Sequence, residues 1–132
     1  SEALVNSVDL FATIMEMAGI EPTKTIPAEI THDSISFLPT LSNPMSTPRD
    51  WIFADEFLGG FDGVSSAYSA MRNKRYKLLS LGSVEEFYDL EMDPYERNDL
   101  LAGELSSDEN TEYFALQREI ASLRGSETRQ TQ

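Results

Sequence analysis

Tyr76-Lys77-Leu78-Leu79-Ser80-Leu81-Gly82-Ser83-Val84-Glu85-Glu86-Phe87-Tyr88-Asp89-Leu90 is the stretch whose reading decides the fold. Residues 76–81 read as an apolar strand. Gly82-Ser83 supplies a turn, and residues 86–90 read as a second strand. Phe87 and Tyr88 then point to opposite faces of a sheet. Upstream, residues 65–72 read as a strand that turns at Asn73-Lys74, and residues 51–57 as a further strand. Short connections make these four an antiparallel meander. Asp93-Pro94 starts a turn downstream, with Asn98 placed to bond the backbone after it.

Two helices flank the strands. Residues 108–124 carry Tyr113, Leu116, Ile120 and Leu123 on one stripe, with Phe114 and Gln117 beside it. Ser106 and Glu109 have the spacing of a capping box. Residues 6–19 form the other helix, with Leu4, Val8, Phe11, Met15 and Ala18 at helical spacing and Leu10, Ile14 and Met17 widening the stripe. Asn6 is expected to cap it, with Asp9 near the positive end of the dipole. Gly19 and Pro22 end it. Residues 32–41 form a short apolar run that Pro39 holds to an irregular or single-turn segment. The expected architecture is α+β: a four-stranded antiparallel sheet, the C-terminal helix on one face, and the N-terminal helix at its end or edge.

The chain has 132 residues, 40% apolar, with a net charge of −13. That length fits one domain able to bury roughly two thirds of its unfolded surface. No apolar run approaches the roughly 20 residues of a membrane-spanning helix. Ser1-Glu2-Ala3 has neither the basic start nor the apolar stretch of a signal peptide. There is no Cys, which excludes thiolate catalysis and Cys-bound zinc. The acids crowd between Glu85 and Glu112 with Arg97 as their one basic neighbour, a surface that repels phosphate backbones and argues against nucleic acid. Arg72, Lys74, Arg75 and Lys77 form the one basic cluster, read as a solvated turn before an anion site.

Few residues offer chemistry. His32-Asp33 is half of a base or one metal ligand, with no second His in the chain. Asp55 and Glu56 are neighbours on a strand, so their carboxylates diverge. The run from Asp93 to Asp99 lacks the ligand spacing and the central Gly of a calcium loop. Gly59-Gly60-Phe61-Asp62-Gly63 lacks the order of a phosphate loop and reads as a hairpin loop able to reach a neighbouring site.

The stretch from Tyr76 to Leu100, with Glu86-Phe87-Tyr88-Asp89-Leu90 and Asp93-Pro94 in sequence, resembles a segment near the C-terminus of sulfatases. Four more blocks follow the same family order. Residues 6–20 resemble the sulfatase helix "VDLFPTLLDLAGI", with Ala12 in place of the common Pro. Residues 32–41 resemble "DG.SLLP.L", with Ser34 where Gly is usual. Residues 49–56 resemble "R..ifaE", and residues 70–78 resemble "AVR.GRYKLI". Together the blocks cover about three quarters of the chain. The nucleophile signature, Cys or Ser followed by x-Pro-x-Arg, is absent: in Ser46-Thr47-Pro48-Arg49 the Arg comes one residue early.

The resemblance implies a part of an alkaline-phosphatase-superfamily enzyme that hydrolyses sulfate esters with formylglycine and a divalent cation, usually calcium. The nucleophile and metal ligands of such enzymes lie in the N-terminal part, so no catalytic, cofactor or metal residue is assigned here. Residues 1–125 are expected to be the C-terminal subdomain, with the 6–19 helix at the interface with the catalytic part, and residues 126–132 a polar tail. Phe61 and Asp62 are the candidate substrate-loop residues. The expected partners are the N-terminal catalytic domain or, through helix 6–19, a second copy. Its wide stripe predicts exposed apolar side chains at Phe11, Ile14 and Met15. The implied parent is periplasmic, secreted or lysosomal. A related phosphodiesterase or phosphonate hydrolase, and a free-standing acidic binding module, are the competing readings.

Overall fold

A computed structural model describes residues 1–27, 29–30, 32–56 and 68–127. The chain is α+β and divides into two compact units, Ser1–Ile52 and Phe53–Gln132. Each unit is described by itself.

The second unit is built on the sheet. Strands β1 (Ile52–Glu56), β2 (Tyr68–Arg72), β3 (Tyr76–Leu81) and β4 (Val84–Asp89) lie in the order β1-β2-β3-β4. The β2/β3 and β3/β4 pairs are antiparallel. Leu81 pairs with Val84, so Gly82-Ser83 is a two-residue loop. Gly82 has φ of 73°, the left-handed conformation that a tight hairpin asks of its first loop residue. Because the turn is that tight, β4 begins at Val84 rather than at Glu86 as expected, and it ends at Asp89 rather than at Leu90. The β2–β3 turn closes differently. The Asn73 side-chain oxygen accepts from the N–H groups of Arg75 at 2.9 Å and Tyr76 at 2.7 Å.

Met71, Leu78 and Phe87 are neighbours across β2, β3 and β4, and all three are fully buried. Tyr76 stacks on Phe87 with ring centroids 5.2 Å apart. Helix α4 (Ser107–Glu127) packs on this face. It buries Leu116 and Ile120 and sets Tyr113 edge-on to Phe87 at 5.5 Å. The predicted capping box forms: Ser106 N–H donates to the Glu109 carboxylate at 2.7 Å, and Glu109 N–H to Ser106 Oγ at 3.3 Å. The helix runs three residues past the expected stop at Arg124, because one Gly costs a helix only about 1 kcal/mol against Ala. On the other face Tyr88 is buried, while Tyr68, Leu81 and Val84 stay exposed.

The acidic run folds into a turn, as expected. One Asp93 carboxylate oxygen accepts from the N–H groups of Arg97 at 2.6 Å and Asn98 at 2.8 Å. Glu96 takes a left-handed φ of 55° within it. The turn leads to a 3₁₀ segment, Leu100–Ala102. Asp99 caps that segment through Leu101 N–H at 3.0 Å, and its same oxygen takes the outward N–H of Phe87 on β4 at 3.0 Å. An outer backbone donor of β4 is thereby satisfied from within the chain.

The first unit holds α1 (Asp9–Met17), α2 (Pro22–Thr25) and α3 (Leu38–Ser42). Helix α1 starts at Asp9, with Val8 at the N-cap, not at Asn6. The Asn6 side-chain oxygen still accepts Val8 N–H, at 3.5 Å, and the Asp9 carboxylate reaches back to accept Asn6 N–H at 2.8 Å. The C-terminus stops as read. Gly19 has φ of 73°, Gly19 N–H donates to Glu16 C=O at 2.9 Å, and Ile20 N–H to Met15 C=O at 2.9 Å. Those two bonds are the Schellman pair. Pro39 stands in the first turn of α3, where its missing N–H costs nothing.

Candidate functional site

The strongest convergence of polar groups in the first unit is at Asp9. Its side chain is only 1% exposed and that of its partner Arg49 only 6%. Arg49 Nε donates to both Asp9 oxygens, at 2.9 and 2.7 Å, and Arg49 Nη2 donates to Asp9 Oδ1 and to the Asp33 carbonyl. Ile35 N–H adds a bond to Oδ1 at 2.9 Å. Burial pushes the Asp9 carboxyl up, but the Arg49 guanidinium and the Ile35 and Asn6 N–H groups outweigh it and hold it below the ordinary carboxylate range. A buried carboxylate that accepts this many bonds is a structural tie.

Two hydroxyls extend the tie along α1. Ser34 Oγ donates to Val8 C=O at 2.7 Å and accepts Ala12 N–H at 2.9 Å. Thr13 Oγ1 donates to Asp9 C=O at 2.7 Å and accepts Phe37 N–H at 3.1 Å. Residues 34–37 are thereby stitched to the helix. Ser34, which stands where the resembling block usually has Gly, supplies two of these bonds.

Beside this tie lies an open groove of about 350 Å³, lined by residues 32–35 and 48–51. His32 rests edge-on near Phe11, ring centroids 6.3 Å apart. Among the described residues no hydrogen bond joins His32 to Asp33, so the sequence pair is not assembled as a base. Arg49 is committed to Asp9, and Ser46 bonds through its backbone, donating its N–H to Asn43 C=O at 2.9 Å and accepting the Thr40 hydroxyl at 3.4 Å.

In the second unit two residues of the basic cluster are ion-paired. Arg75 pairs with Asp89 at 2.8 Å and Glu91 at 3.4 Å, and Lys77 with Glu96 at 2.7 Å. Arg72 donates to the Asn73 carbonyl at 3.2 Å. Arg75 holds the Asp89 carboxyl below its usual range. Glu85 receives the Tyr113 hydroxyl at 2.5 Å and the Gln117 amide at 2.8 Å. That bond, with burial, pushes the Tyr113 phenol up to about 12. Burial and Glu86 do the same to Tyr88, also to about 12. Glu85 thereby ties α4 to β4, and the ion pairs occupy Arg75 and Lys77. Among the described residues no three His, Cys, Asp or Glu side chains group to hold a metal ion. No helix among them is long and apolar enough to cross a membrane.

Phe61 and Asp62, with the rest of residues 59–63, lie outside the described residues. Sequence reasoning missed the Asp9–Arg49 tie. Its signal was present in two resembling blocks, one carrying Asp9 and one Arg49, but nothing local joins residues 40 positions apart.

No family profile matches the chain, and no curated protein matches it. Solved structures do. A protein from Bacteroides thetaiotaomicron VPI-5482 assigned as a sulfatase is similar with a TM-score of 0.67 and 27% identity, over 94% of this chain and 26% of its own. BT1596, a 2-O GAG sulfatase, is similar with a TM-score of 0.60 and 25% identity, over 92% of this chain and 24% of its own. BT4656, solved with its substrate D-glucosamine-2-N,6-O-disulfate, shares the fold with a TM-score of 0.62 at 20% identity, over 89% of this chain and 23% of its own. The chain spans about a quarter of the length of these structures. With the sequence blocks in sulfatase order, the likenesses at 27% and 25% identity support the reading of the chain as similar to the C-terminal region of sulfatases.

Proposed function

We propose that the chain supports the catalytic part of a sulfate-ester hydrolase and lends it a substrate-facing loop through Phe61 and Asp62. The observation that carries this reading is the lopsided match: sulfatase structures cover 94% of this chain with 26% of their own length. Three quarters of such an enzyme lies elsewhere. The chain's own residues do not fit the family's formylglycine or its calcium. There is no Cys, and Ser46 is followed by Thr47-Pro48-Arg49 instead of x-Pro-x-Arg. The carboxylates at Asp9, Asp89 and Asp93 are already taken up by Arg49, Arg75 and backbone N–H groups. The formylglycine and the cation belong, in this reading, to the upstream part.

The test uses the full-length parent. It is expected to release sulfate from an aryl sulfate or from a sulfated sugar such as glucosamine 2-N,6-O-disulfate, in the presence of calcium. Phe61→Ala and Asp62→Ala are expected to raise KM about tenfold with kcat nearly unchanged, as the loss of uniform binding does. Hydrolysis of phosphodiesters with no sulfate release would contradict the reading.

A further inference from the structure

The groove beside the Asp9–Arg49 tie carries polar groups that the tie leaves unused. Arg49 commits Nε and Nη2 to Asp9 and to the Asp33 carbonyl. Its third nitrogen, Nη1, has no acceptor among the described residues. None of the described residues has a side-chain nitrogen or oxygen that is both buried and unpaired, so Nη1 is open to solvent although the side chain is only 6% exposed. Arg49 lines the groove, which gives this donor its outlet. Trp51, half-buried in the same lining, likewise has no acceptor for its indole N–H among the described residues. Asp33 and Asp50 line the groove too, and neither carboxylate has a partner among the described residues. Ile35 and Pro48 add apolar surface.

Unfilled donors and acceptors side by side restrict the ligand. An anion only accepts, and it would meet two carboxylates. An ammonium only donates, and it would leave Nη1 and the indole N–H unfilled. A hydroxyl does both, and a ring carrying several of them can answer every group of the groove. A volume of about 350 Å³ lies at the small end of ligand sites. We infer that the groove binds a neutral sugar. The C–H face of the ring lies on Trp51, whose indole combines a broad apolar body with a polar tip. Neighbouring hydroxyls donate to Asp33 and Asp50 and accept from Arg49 Nη1. The two bonds from Arg49 Nε to the Asp9 carboxylate fix the guanidinium, so this donor is in place before the sugar arrives. The inference goes beyond the sulfate-ester reading and does not depend on it, because the lining residues alone carry it.

Trp51 is the one tryptophan of the chain, so its emission reports on this groove alone. The 132-residue chain is titrated separately with cellobiose as the neutral sugar, propylamine as the organic cation, acetate as the anion and trialanine as a peptide that also donates and accepts. The expected result is a saturable change of Trp51 emission with cellobiose, at a Kd of about a millimolar, and weaker or no response to the other three. Asp50 is exposed, so Asp50→Ala leaves the fold standing; it is expected to weaken cellobiose binding about tenfold, the loss of one charge-assisted hydrogen bond. Met92→Ala, exposed in the other unit, is expected to change nothing. No saturable response to cellobiose, tighter binding of propylamine, acetate or trialanine, or an Asp50→Ala variant that binds cellobiose as the unaltered chain does overturns the inference.

Discussion

The two units differ in what fills their interiors. The sheet unit buries Met71, Leu78, Phe87, Leu116 and Ile120 and pairs its charges nearer the surface. The helical unit buries Asp9, Thr13, Thr40 and Arg49 and turns Leu10, Phe11, Ile14 and Met17 outward. Both helices looked alike as sequence, each with an apolar stripe. One stripe packs on the sheet of its own unit, whereas the other helix's unit holds no sheet. A sheet face supplies the apolar area that stabilises a small unit by itself, at about 25 cal/mol for each Å² removed from water. A hydrogen-bonded polar core gives a unit its geometry and much less of its stability.

The sharpest way to break this contrast is to empty the centre of the sheet unit. Phe87→Ala is expected to cost about 3–5 kcal/mol, because a fully buried aromatic leaves a cavity between β3 and α4. Denaturant unfolding of the chain measures it. A loss under 1 kcal/mol would mean that the sheet is not the stable unit.

The second test strikes the polar core. Arg49→Met strands the Asp9 carboxylate and is expected to cost about 3 kcal/mol, the lower end for breaking a buried pair, since Asp9 keeps two backbone donors. Converting Asp9 to Asn in that background should recover part of the loss. Failure of the double variant to recover any would show that the charge is not what matters.

The pair also fixes a pH response. Folding lowers the Asp9 carboxyl below its ordinary value of 3.8, as it does that of Asp89. The stability from these pairs is therefore present above that value and is lost as pH falls below it, through the folded-state values. Thermal melts between pH 7 and pH 2 should show a drop in the acid limb that shrinks in Arg49→Met. An unchanged drop would assign the acid limb to other groups.

How far these elements were legible follows from range. Residues 76–81 and the Gly82-Ser83 turn were readable because a short apolar run and a turn-forming Gly act within a few residues. The capping box at Ser106 and the stop at Gly19 were readable for the same reason. The start of α1 was placed at Asn6, whereas the helix begins at Asp9, whose carboxylate both accepts Asn6 N–H and binds Arg49 40 positions away. The basic cluster was legible as residues but not as charge, because Asp89, Glu91 and Glu96 neutralise it only once β4 and the Asp93 turn have folded back. The candidate loop at Phe61 and Asp62 rests on sequence alone.

Smaller effects sharpen the same contrast. Asp99→Ala removes the cap of the 3₁₀ segment and the partner of Phe87 N–H, and is expected to cost about 1–2 kcal/mol, read from denaturant midpoints. Phe11→Ala is expected to change the stability of the 132-residue chain by less than about 0.5 kcal/mol, as exposed positions do. A large loss at Phe11 would mean that its side chain is buried within the chain after all.

We propose that this chain supports the catalytic part of a sulfatase and that the chemistry lies in the rest of that enzyme. Sulfate release measured side by side for the full-length parent and for the 132-residue chain, each with calcium and a sulfate ester, tests it most directly. The account predicts turnover by the parent and none by the chain alone. Turnover by the chain alone, or a parent that releases no sulfate from any aryl or sugar sulfate, would contradict it.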